Sequence, residues 1–263
     1  MSETKEFAPQ YPRNENNWIL FPRDTIDRRE LFVPEVMEHP AKMQLYLLQE
    51  VVKYNTKPGD HIIDCFGGSG TTLWAALLGR RVTLLELEPA FLDMQRAVVA
   101  KWIAEERPHN TIMLLQGDNR QLLPIPCDHM IFSPPYANDI ARTGGGALNA
   151  DKQRQVDIYT DSSLNLGRLN EFLYVQAMAK VYDGVRDSVC AGGTVTITHR
   201  DRSRSGQRIL FADAIIRQMT TRGFEVKDWF KWKTPGSVRA AVNRSRGATV
   251  IEDEDILMFR KLG

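Results

Sequence analysis

Short apolar strands alternate with helical stretches along most of this chain, and this alternation limits the possible folds more than any other feature of the sequence. Strands that alternate with helices predict β-α-β units and a mostly parallel sheet. The predicted strands are residues 61–65, 82–86, 111–115, 128–132, 194–198, 224–232 and 256–259, and the predicted helices are residues 42–54, 71–78, 91–104, 169–189 and 209–221. Ligands of such sheets bind at the carboxyl ends of the strands, so a functional site is expected there.

The composition agrees with a folded α/β protein. A length of 263 residues suits one large domain, and 43% hydrophobic with 25% charged residues argues against disorder or a coiled coil. Residues 1–38 are rich in Pro and Asn, and they are predicted to form an irregular N-terminal arm with apolar anchors at residues 18–21 and 31–33. Residues 39–263 are predicted to form a single domain.

Cysteine usage and hydropathy bear on the compartment. Cys65, Cys127 and Cys190 are far apart and include no C-x-x-C pair, which argues against a disulfide framework or a zinc knuckle. No apolar run long enough for a signal peptide or a membrane span occurs in the sequence. We therefore expect a cytoplasmic protein with no membrane partner and no metal.

The net charge of +1, from 34 Lys and Arg against 33 Asp and Glu, excludes a polycationic binder of the histone type. The charge is unevenly distributed, however. Residues 200–246 contain twelve Lys or Arg against four Asp or Glu, an excess of eight positive charges. A local basic segment of this kind predicts contact with a polyanion.

The stretch D-C-F-G-G-S-G-T-T at residues 64–72 joins the first predicted strand to a helix. Gly68 and Gly70 allow a tight turn and a close approach of a ligand to main-chain N–H groups. A Rossmann G-x-G-x-x-G would need a third glycine at Leu73, and a Walker loop would need a lysine after Gly70. The loop therefore suits a ligand other than a pyrophosphate.

The pattern D-x-F-x-G-x-G in this stretch resembles the first motif of the S-adenosylmethionine (SAM)-dependent amino-methyltransferases of DNA. The resemblance implies a Rossmann-like class I methyltransferase fold, with a mostly parallel sheet and one antiparallel strand near the C-terminus. It also implies that the glycine loop lies against the methionine part of SAM, that Glu86 binds the ribose hydroxyls, and that Asp118 meets the adenine amino group. The cofactor-binding residues expected from the resemblance are His39, Lys42, Asp64, Phe66, Gly68, Gly70, Thr71, Thr72, Glu86 and Asp118.

Ser133-Pro134-Pro135-Tyr136 follows the fourth predicted strand directly. Two consecutive prolines cannot continue a central strand, so they predict a stiff loop that presents carbonyl oxygens, a hydroxyl and an aromatic ring. Acceptors at the Ser133 hydroxyl and the Pro134 carbonyl suit the two N–H groups of a nucleobase amine, while Tyr136 stacks on the base. Such an amine is paired inside a duplex, so extrusion of the base is expected.

In the resembled family this tetrapeptide is the catalytic motif D/N/S-P-P-Y, so the resemblance implies that Ser133, Pro134, Pro135 and Tyr136 are catalytic. Ser in the first place is most typical of N4-cytosine enzymes, whereas Asp is typical of N6-adenine enzymes. We therefore favour N4 of cytosine, with N6 of adenine as the alternative. Residues 126–127 form a Pro-Cys pair like that of C5-cytosine enzymes, but Cys127 precedes its strand instead of following it, so we interpret it as a structural residue.

The sequence leaves no room for a separate target-recognition domain between the motifs. Two loops of the predicted catalytic domain, at about residues 137–166 and 234–249, are the expected DNA-facing segments, together with the cluster that follows the strand at residues 194–198. The candidate phosphate contacts are Arg200, Arg202, Arg204, Arg239, Arg244 and Arg246. Trp229 and Trp232 are expected in the core.

The leading hypothesis is a prokaryotic or phage-encoded enzyme of DNA methylation and restriction-modification, with SAM as cofactor and double-stranded DNA as partner. Two alternatives stay open. One is an RNA amino-methyltransferase, since related enzymes carry a similar Pro-Pro-Tyr motif, and the other is a catalytically silent nucleic-acid-binding partner. The recognised DNA sequence and the oligomeric state are left open by the sequence.

Overall fold

The computed structural model describes residues 5–38, 42–135, 164–204, 207–235, 244–245 and 249–263. Its centre is a seven-stranded sheet with the spatial order β3-β2-β1-β4-β5-β9-β8, beside a small β6–β7 hairpin. The strands are β1 (His61–Asp64), β2 (Arg81–Glu86), β3 (Ile112–Gln116), β4 (Cys127–Phe132), β5 (Val189–His199), β6 (Arg202–Arg204), β7 (Gln207–Ile209), β8 (Phe224–Lys233) and β9 (Asp253–Lys261).

The sheet is parallel from β3 to β5, and β9 runs antiparallel to both of its neighbours. The expectation of a mostly parallel sheet with one antiparallel strand near the C-terminus is confirmed. All seven predicted strands are present, and their bounds differ from the prediction by a few residues at most ends. The largest difference is at β5, which begins at Val189 instead of residue 194 because its first residues also pair with β4.

Helices cover both faces of the sheet. They are α1 (Thr25–Leu31), α2 (Leu45–Asn55), α3 (Pro89–Ala104), α4 (Asn119–Leu122), α5 (Glu171–Ser188) and α6 (Ala212–Thr220), with 3₁₀ helices at Pro34–Glu38, Thr71–Leu78 and Leu166–Arg168. Among the described residues, no helix combines the length and the apolar character needed to cross a bilayer.

Local sequence explains where these helices begin and end. Pro89 opens α3, because a proline at the first helical position loses no hydrogen bond. The Asn170 side chain caps α5 by accepting the Leu173 N–H at 3.0 Å. Glycines in the left-handed conformation flank the Thr71–Leu78 helix, with φ of +83° at Gly70 and +75° at Gly79.

The N-terminal arm was predicted to be irregular, but the structure shows helices in it. It contains α1 and the Pro34–Glu38 helix, and its side chains Phe7, Ile19 and Phe32 are buried in the main hydrophobic core. The main chain of Ile19 also pairs with β8, since its N–H donates to the Lys231 carbonyl at 2.9 Å and its C=O accepts from the Lys233 N–H at 2.9 Å. The arm therefore completes the core at the edge strand of the sheet.

The strand order places one particular pair of loops next to each other. The chain crosses from β1 to β2 and β3 on one side of β1, and it returns to β4 on the other side. The carboxyl ends of β1 and β4 thus flank the point where the strand order reverses, which is where open α/β sheets bind ligands. The glycine stretch at residues 64–72 follows β1, and the Ser-Pro-Pro stretch follows β4.

Burial of Ile19 predicts that the arm contributes to global stability. Ile19 is 0% exposed, so Ile19→Ala should lower the free energy of unfolding by about 2–5 kcal/mol through lost burial and a residual cavity. The matched control is Ile26→Ala on α1, where the side chain is 81% exposed and the change should be below about 0.5 kcal/mol. Urea denaturation of both variants checks this, and equal effects would show that the arm is not part of the core.

Candidate active site

Asp64 ends β1 and organises the loop that follows. Its carboxylate is buried and accepts hydrogen bonds from the Thr72 hydroxyl at 2.6 Å and from the Phe66 N–H at 3.0 Å. Burial raises the pKa of Asp64 to about 6, although both hydrogen bonds act in the opposite direction. The Asp64 carboxylate thus stabilises the turn at residues 64–72 through hydrogen bonds on its buried side.

Glu86 at the end of β2 is held by main-chain donors of two elements. One carboxylate oxygen accepts the Gly68 N–H at 2.6 Å, and the other accepts the Glu88 N–H at 2.8 Å. The side chain is buried, and this burial raises the pKa of Glu86 to about 7 against the pull of those hydrogen bonds. An acidic side chain at this position therefore faces the glycine loop directly.

The loop backbone lies too close to its neighbours for side chains. A Cβ on Gly67 would lie 2.8 Å from Gln95 Nε2 and 3.2 Å from Leu84 Cβ. At Gly70, where φ is +83°, a Cβ would lie 3.0 Å from Leu73 Cδ1. Gly70 is favoured by its left-handed conformation, and a Cβ at Gly67 would displace the Gln95 amide and press on Leu84.

The carboxyl end of β3 is tied to that of β1. Asp118 is buried and binds the Arg120 guanidinium with both oxygens, at 2.8 Å to Nε and 2.7 Å to Nη2. The neighbouring Asn119 donates from its side-chain amide to the Cys65 carbonyl at 2.7 Å. The neighbour of Asp118 thus contacts the stretch that follows β1, and the charge of Asp118 is balanced by Arg120.

The chain returns to this region at residues 164–165. The Asn165 amide donates to the Glu88 carboxylate at 2.5 Å, and the Arg120 guanidinium donates to the Leu164 carbonyl at 3.0 Å. Glu88 and Asn165 are both buried. These two contacts join the segment that precedes α5 to the carboxyl ends of β2 and β3.

The catalytic stretch predicted from the sequence follows β4 at the same edge. Ser133 and Pro135 are half-buried and Pro134 is buried. The Phe66 ring of the glycine stretch packs against the Phe132 ring at a centroid distance of 5.8 Å. The two motifs, far apart in sequence, are therefore in contact at their base, while Tyr136 lies outside the described residues.

The threonines that follow Gly70 face the protein interior. Thr72 donates to Asp64, and the Thr71 hydroxyl accepts from the buried Arg28 guanidinium at 3.0 Å. Arg28 also donates to Asp24 at 2.6 Å and to the Met43 carbonyl at 2.7 Å. The arm helix α1 is thus bonded to the start of the helix that follows the glycine loop.

Lys42 lies at the entrance to this region from the N-terminal side. Its ammonium donates to the Met37 carbonyl at 2.9 Å, and its pKa is lowered by burial first and by the nearby Arg28 second. The second residue predicted in that segment, His39, lies outside the described residues.

Comparisons with known proteins agree with this geometry. Residues 4–97 match the family model N6_N4_Mtase, described as DNA methylase. The matched stretch contains the arm, the glycine loop and Glu86. Residues 4–97 are therefore similar to the DNA amino-methyltransferases.

Two relatives of this family are type II methyltransferases. M.BglI of Bacillus subtilis is 40% identical over 67 residues, which are 24% of this chain and 19% of the relative. M2.DpnII of Streptococcus pneumoniae is 42% identical over 60 residues, 22% of each chain. The aligned part thus spans about a fifth of the length of these relatives. A SAM-dependent methyltransferase from Methanosarcina mazei shares the fold, with a TM-score of 0.53 at 9% identity over 81% of this chain and 97% of that chain.

The arginines predicted to contact DNA have different surroundings. Arg200 donates to the Ile251 carbonyl, and Arg244 is paired with Glu252. Arg202 is half-buried on β6, close to the carboxyl end of β5 and therefore at the same edge as the family motifs. The side chain of Arg204, and Arg239 and Arg246 entirely, lie outside the described residues.

The expectation that Trp229 and Trp232 both lie in the core is half wrong. Trp232 is buried and packs near Phe21, but Trp229 is 46% exposed on the opposite face of β8. Its indole N–H donates to Asp255 at 2.7 Å. Alternating side chains of a strand face opposite sides, so two tryptophans three residues apart cannot share one face of β8.

Sequence inspection missed Gln95 and Arg28, which contact the glycine loop and the helix after it. The signal for Gln95 was present, because it lies on the same helical face as the buried Phe91, Val98 and Trp102, where a polar residue is unusual. Arg28 gave no comparable signal. It lies in a charged stretch, D-R-R-E, whose buried member depends on how α1 packs.

Glu86 should make stability depend on pH. Its pKa in the folded protein is about 7 against an ordinary 4.5, so between these values the folded state holds a proton that the unfolded chain has lost. Its contribution is therefore favourable at low pH and is lost as the pH rises from about 4.5 to about 7. Relative to Glu86→Gln, the wild-type free energy of unfolding should fall by about 3 kcal/mol across that window. Urea denaturation at several pH values measures this difference, and a difference independent of pH would contradict it.

Proposed function

We propose that this chain is a SAM-dependent DNA methyltransferase that transfers a methyl group to the exocyclic amine of a flipped base, N4 of cytosine. The observation that carries the proposal is the contact between the two motifs through Phe66 and Phe132, at the edge where Glu86 is held. The match of residues 4–97 to the DNA methylase family model supports the reaction class. Its two type II relatives support DNA as the substrate.

The residues at this edge fit SAM. The loop lacks side chains at Gly67, Gly68 and Gly70, and Gly68, which has a φ of +51°, is half-buried, so a ligand can approach the loop backbone there. Glu86 has its carboxylate oriented by two N–H donors, and each oxygen keeps further acceptor capacity for a ribose hydroxyl. Asp118 would lie near the adenine ring. When bound, SAM supplies an electrophilic methyl group on a sulfonium that is a good leaving group.

The chain itself supplies position and polarity for the nucleophile. The Ser133 hydroxyl and the Pro134 carbonyl accept the two N–H groups of the amine, which directs the nitrogen lone pair towards the methyl group. The prolines stiffen this loop, and its base at Phe132 is fixed in the sheet. Positioning of this kind accounts for a large part of the barrier reduction in a two-substrate transfer. Tyr136 is proposed to stack on the flipped base.

Ser133 favours cytosine over adenine in this proposal. Serine in the first place of the D/N/S-P-P-Y motif is most typical of the N4-cytosine enzymes that this stretch resembles, whereas aspartate is typical of the N6-adenine enzymes. N6 of adenine is the second candidate, because both base types belong to the same family.

The product should be N4-methylcytosine in DNA. Purified protein, labelled SAM and unmethylated double-stranded DNA are incubated, the DNA is digested, and the labelled nucleoside is identified by chromatography and mass spectrometry. N6-methyladenine would contradict the choice of cytosine, and label found in RNA alone would contradict the choice of DNA. SAM binding without transfer to either would indicate a silent nucleic-acid-binding partner.

Two variants separate this mechanism from C5-cytosine chemistry in the same assay. Cys127 opens β4 at the end opposite to Ser133, and burial raises the pKa of its thiol to about 12. Cys127→Ala should therefore keep most of the activity, whereas Ser133→Ala should lose it by about tenfold or more. Complete loss in a folded Cys127→Ala protein would support a cysteine nucleophile instead.

The β6–β7 hairpin is proposed to contact DNA phosphates through Arg202 and Arg204. Replacing both by Ala should weaken DNA binding and reduce the slope of log affinity against log salt, by about one for each lost phosphate contact. The control is Arg186→Ala near the end of α5, at the opposite edge of the sheet, where the guanidinium pairs with Asp187 at 2.7 Å. Fluorescence anisotropy over a salt series measures both, and equal slopes would contradict the assignment.

A further inference from the structure

Gln95 is a polar side chain on the buried face of α3, whose other residues are apolar. It is 0% exposed, between the buried Phe91 and Val98 on the face that packs under the glycine loop. Its amide nitrogen donates to the Gly68 carbonyl at 2.8 Å. Its amide oxygen is buried and has no hydrogen-bond partner in the part of the chain that the structure describes.

Gln95 and Glu86 hold two consecutive peptide groups of the loop. Glu86 accepts the Gly68 N–H, which belongs to the peptide between residues 67 and 68. Gln95 binds the Gly68 carbonyl, which belongs to the peptide between residues 68 and 69. A glycine has the greatest rotational freedom of any residue, so fixing the peptide on each side removes most of that freedom.

The packing around Gln95 is tight on the side of the loop. A Cβ atom added at Gly67 would lie 2.8 Å from Gln95 Nε2, and one added at Gly70 would lie 3.1 Å from Gln95 Cγ. The Gln95 side chain thus lies beneath residues 67–70 and supports the loop from the protein interior. It contacts the loop from behind, as a support for residues that would meet a ligand.

The unpartnered oxygen shows that stability alone does not account for glutamine here. A buried acceptor without a partner costs free energy, and an apolar side chain of the same length would avoid that cost. The Gly68 carbonyl, in contrast, is bound only if residue 95 has a donor. Glutamine at this position therefore favours a fixed loop conformation at some expense of stability.

We propose that Gln95 is a positioning residue of the cofactor site, which orients the Gly68 peptides and Glu86 before SAM binds. The inference rests on the proposed function, which assigns SAM to the glycine loop. A loop ordered in advance loses less conformational entropy on binding, so the affinity for the cofactor is higher. Gln95 acts through Gly68 and touches neither SAM nor the base.

The first test is Gln95→Met, which keeps the length of the side chain and removes both amide groups. Calorimetry should show SAM binding weakened by roughly tenfold, as expected for one lost hydrogen bond of ordinary strength. The midpoint of urea denaturation should change little, because removal of the unpartnered oxygen offsets the loss of the hydrogen bond to the Gly68 carbonyl. Gln176→Met, at an exposed position of α5, is the matched control and should change neither quantity.

The second test is Gln95→Glu, which adds a pH signature. An ionised carboxylate cannot donate to the Gly68 carbonyl, whereas the protonated acid can. SAM binding by this variant should therefore be weak at high pH and recover towards the wild-type value as the pH falls. The ratio of the two affinities at each pH removes the titration of Glu86, which both proteins share.

The outcomes distinguish this inference from the proposed function. Wild-type protein that binds no SAM would contradict both. Wild-type protein that binds SAM while Gln95→Met binds it equally tightly would overturn the positioning role alone. If Gln95→Met fails to fold, a Gln95→Glu affinity ratio that does not vary with pH would overturn it too.

Discussion

The buried carboxylate of Glu86 is the interaction on which the arrangement of the site depends. It ends β2, accepts the N–H of Gly68 from the loop after β1, and accepts the N–H of Glu88 at the start of α3. A carboxylate removed from water is tolerated when donors surround it, and the raised pKa of about 7 shows that the burial is only partly compensated. The buried Glu86 carboxylate lowers the stability of the fold, and it presents an oriented acceptor at the ligand-binding edge.

The topology then brings the second motif to that acceptor. Because β1 and β4 are parallel neighbours, the residues that follow them emerge at one edge, and Phe66 packs on Phe132 there. Side-chain amides from two further segments reinforce this edge. Asn119, which follows β3, donates to the Cys65 carbonyl, and Asn165, which precedes α5, donates to Glu88. The N-terminal arm adds Arg28, so the site is supported by segments from well outside the motifs.

Part of the positive charge of residues 200–246 is paired with acidic side chains of the fold. Arg208 binds Asp201 and Asp253, and Lys231 binds Asp253 and Asp255. These pairs join the carboxyl ends of β5 and β8 to the amino end of β9, so their charge is used within the fold. The proposed contact with DNA at this edge therefore rests on Arg202 and Arg204 of β6 and excludes the paired residues of the segment.

The order of strands and helices, the positions of Asp64, Glu86 and Asp118 at strand ends, and the rigid Ser-Pro-Pro turn were all predictable from the sequence, because periodicity, glycine and proline act locally. The two helices of the arm, the exposure of Trp229 and the roles of Arg28 and Gln95 were not. Each of these depends on which distant segment packs against the residue, and burial of a polar group is decided by that packing. The sequence alone therefore determined the fold class and the motifs. Only the tertiary structure decided which side chains hold those motifs in place, since the donors that orient the glycine loop come from elements outside it.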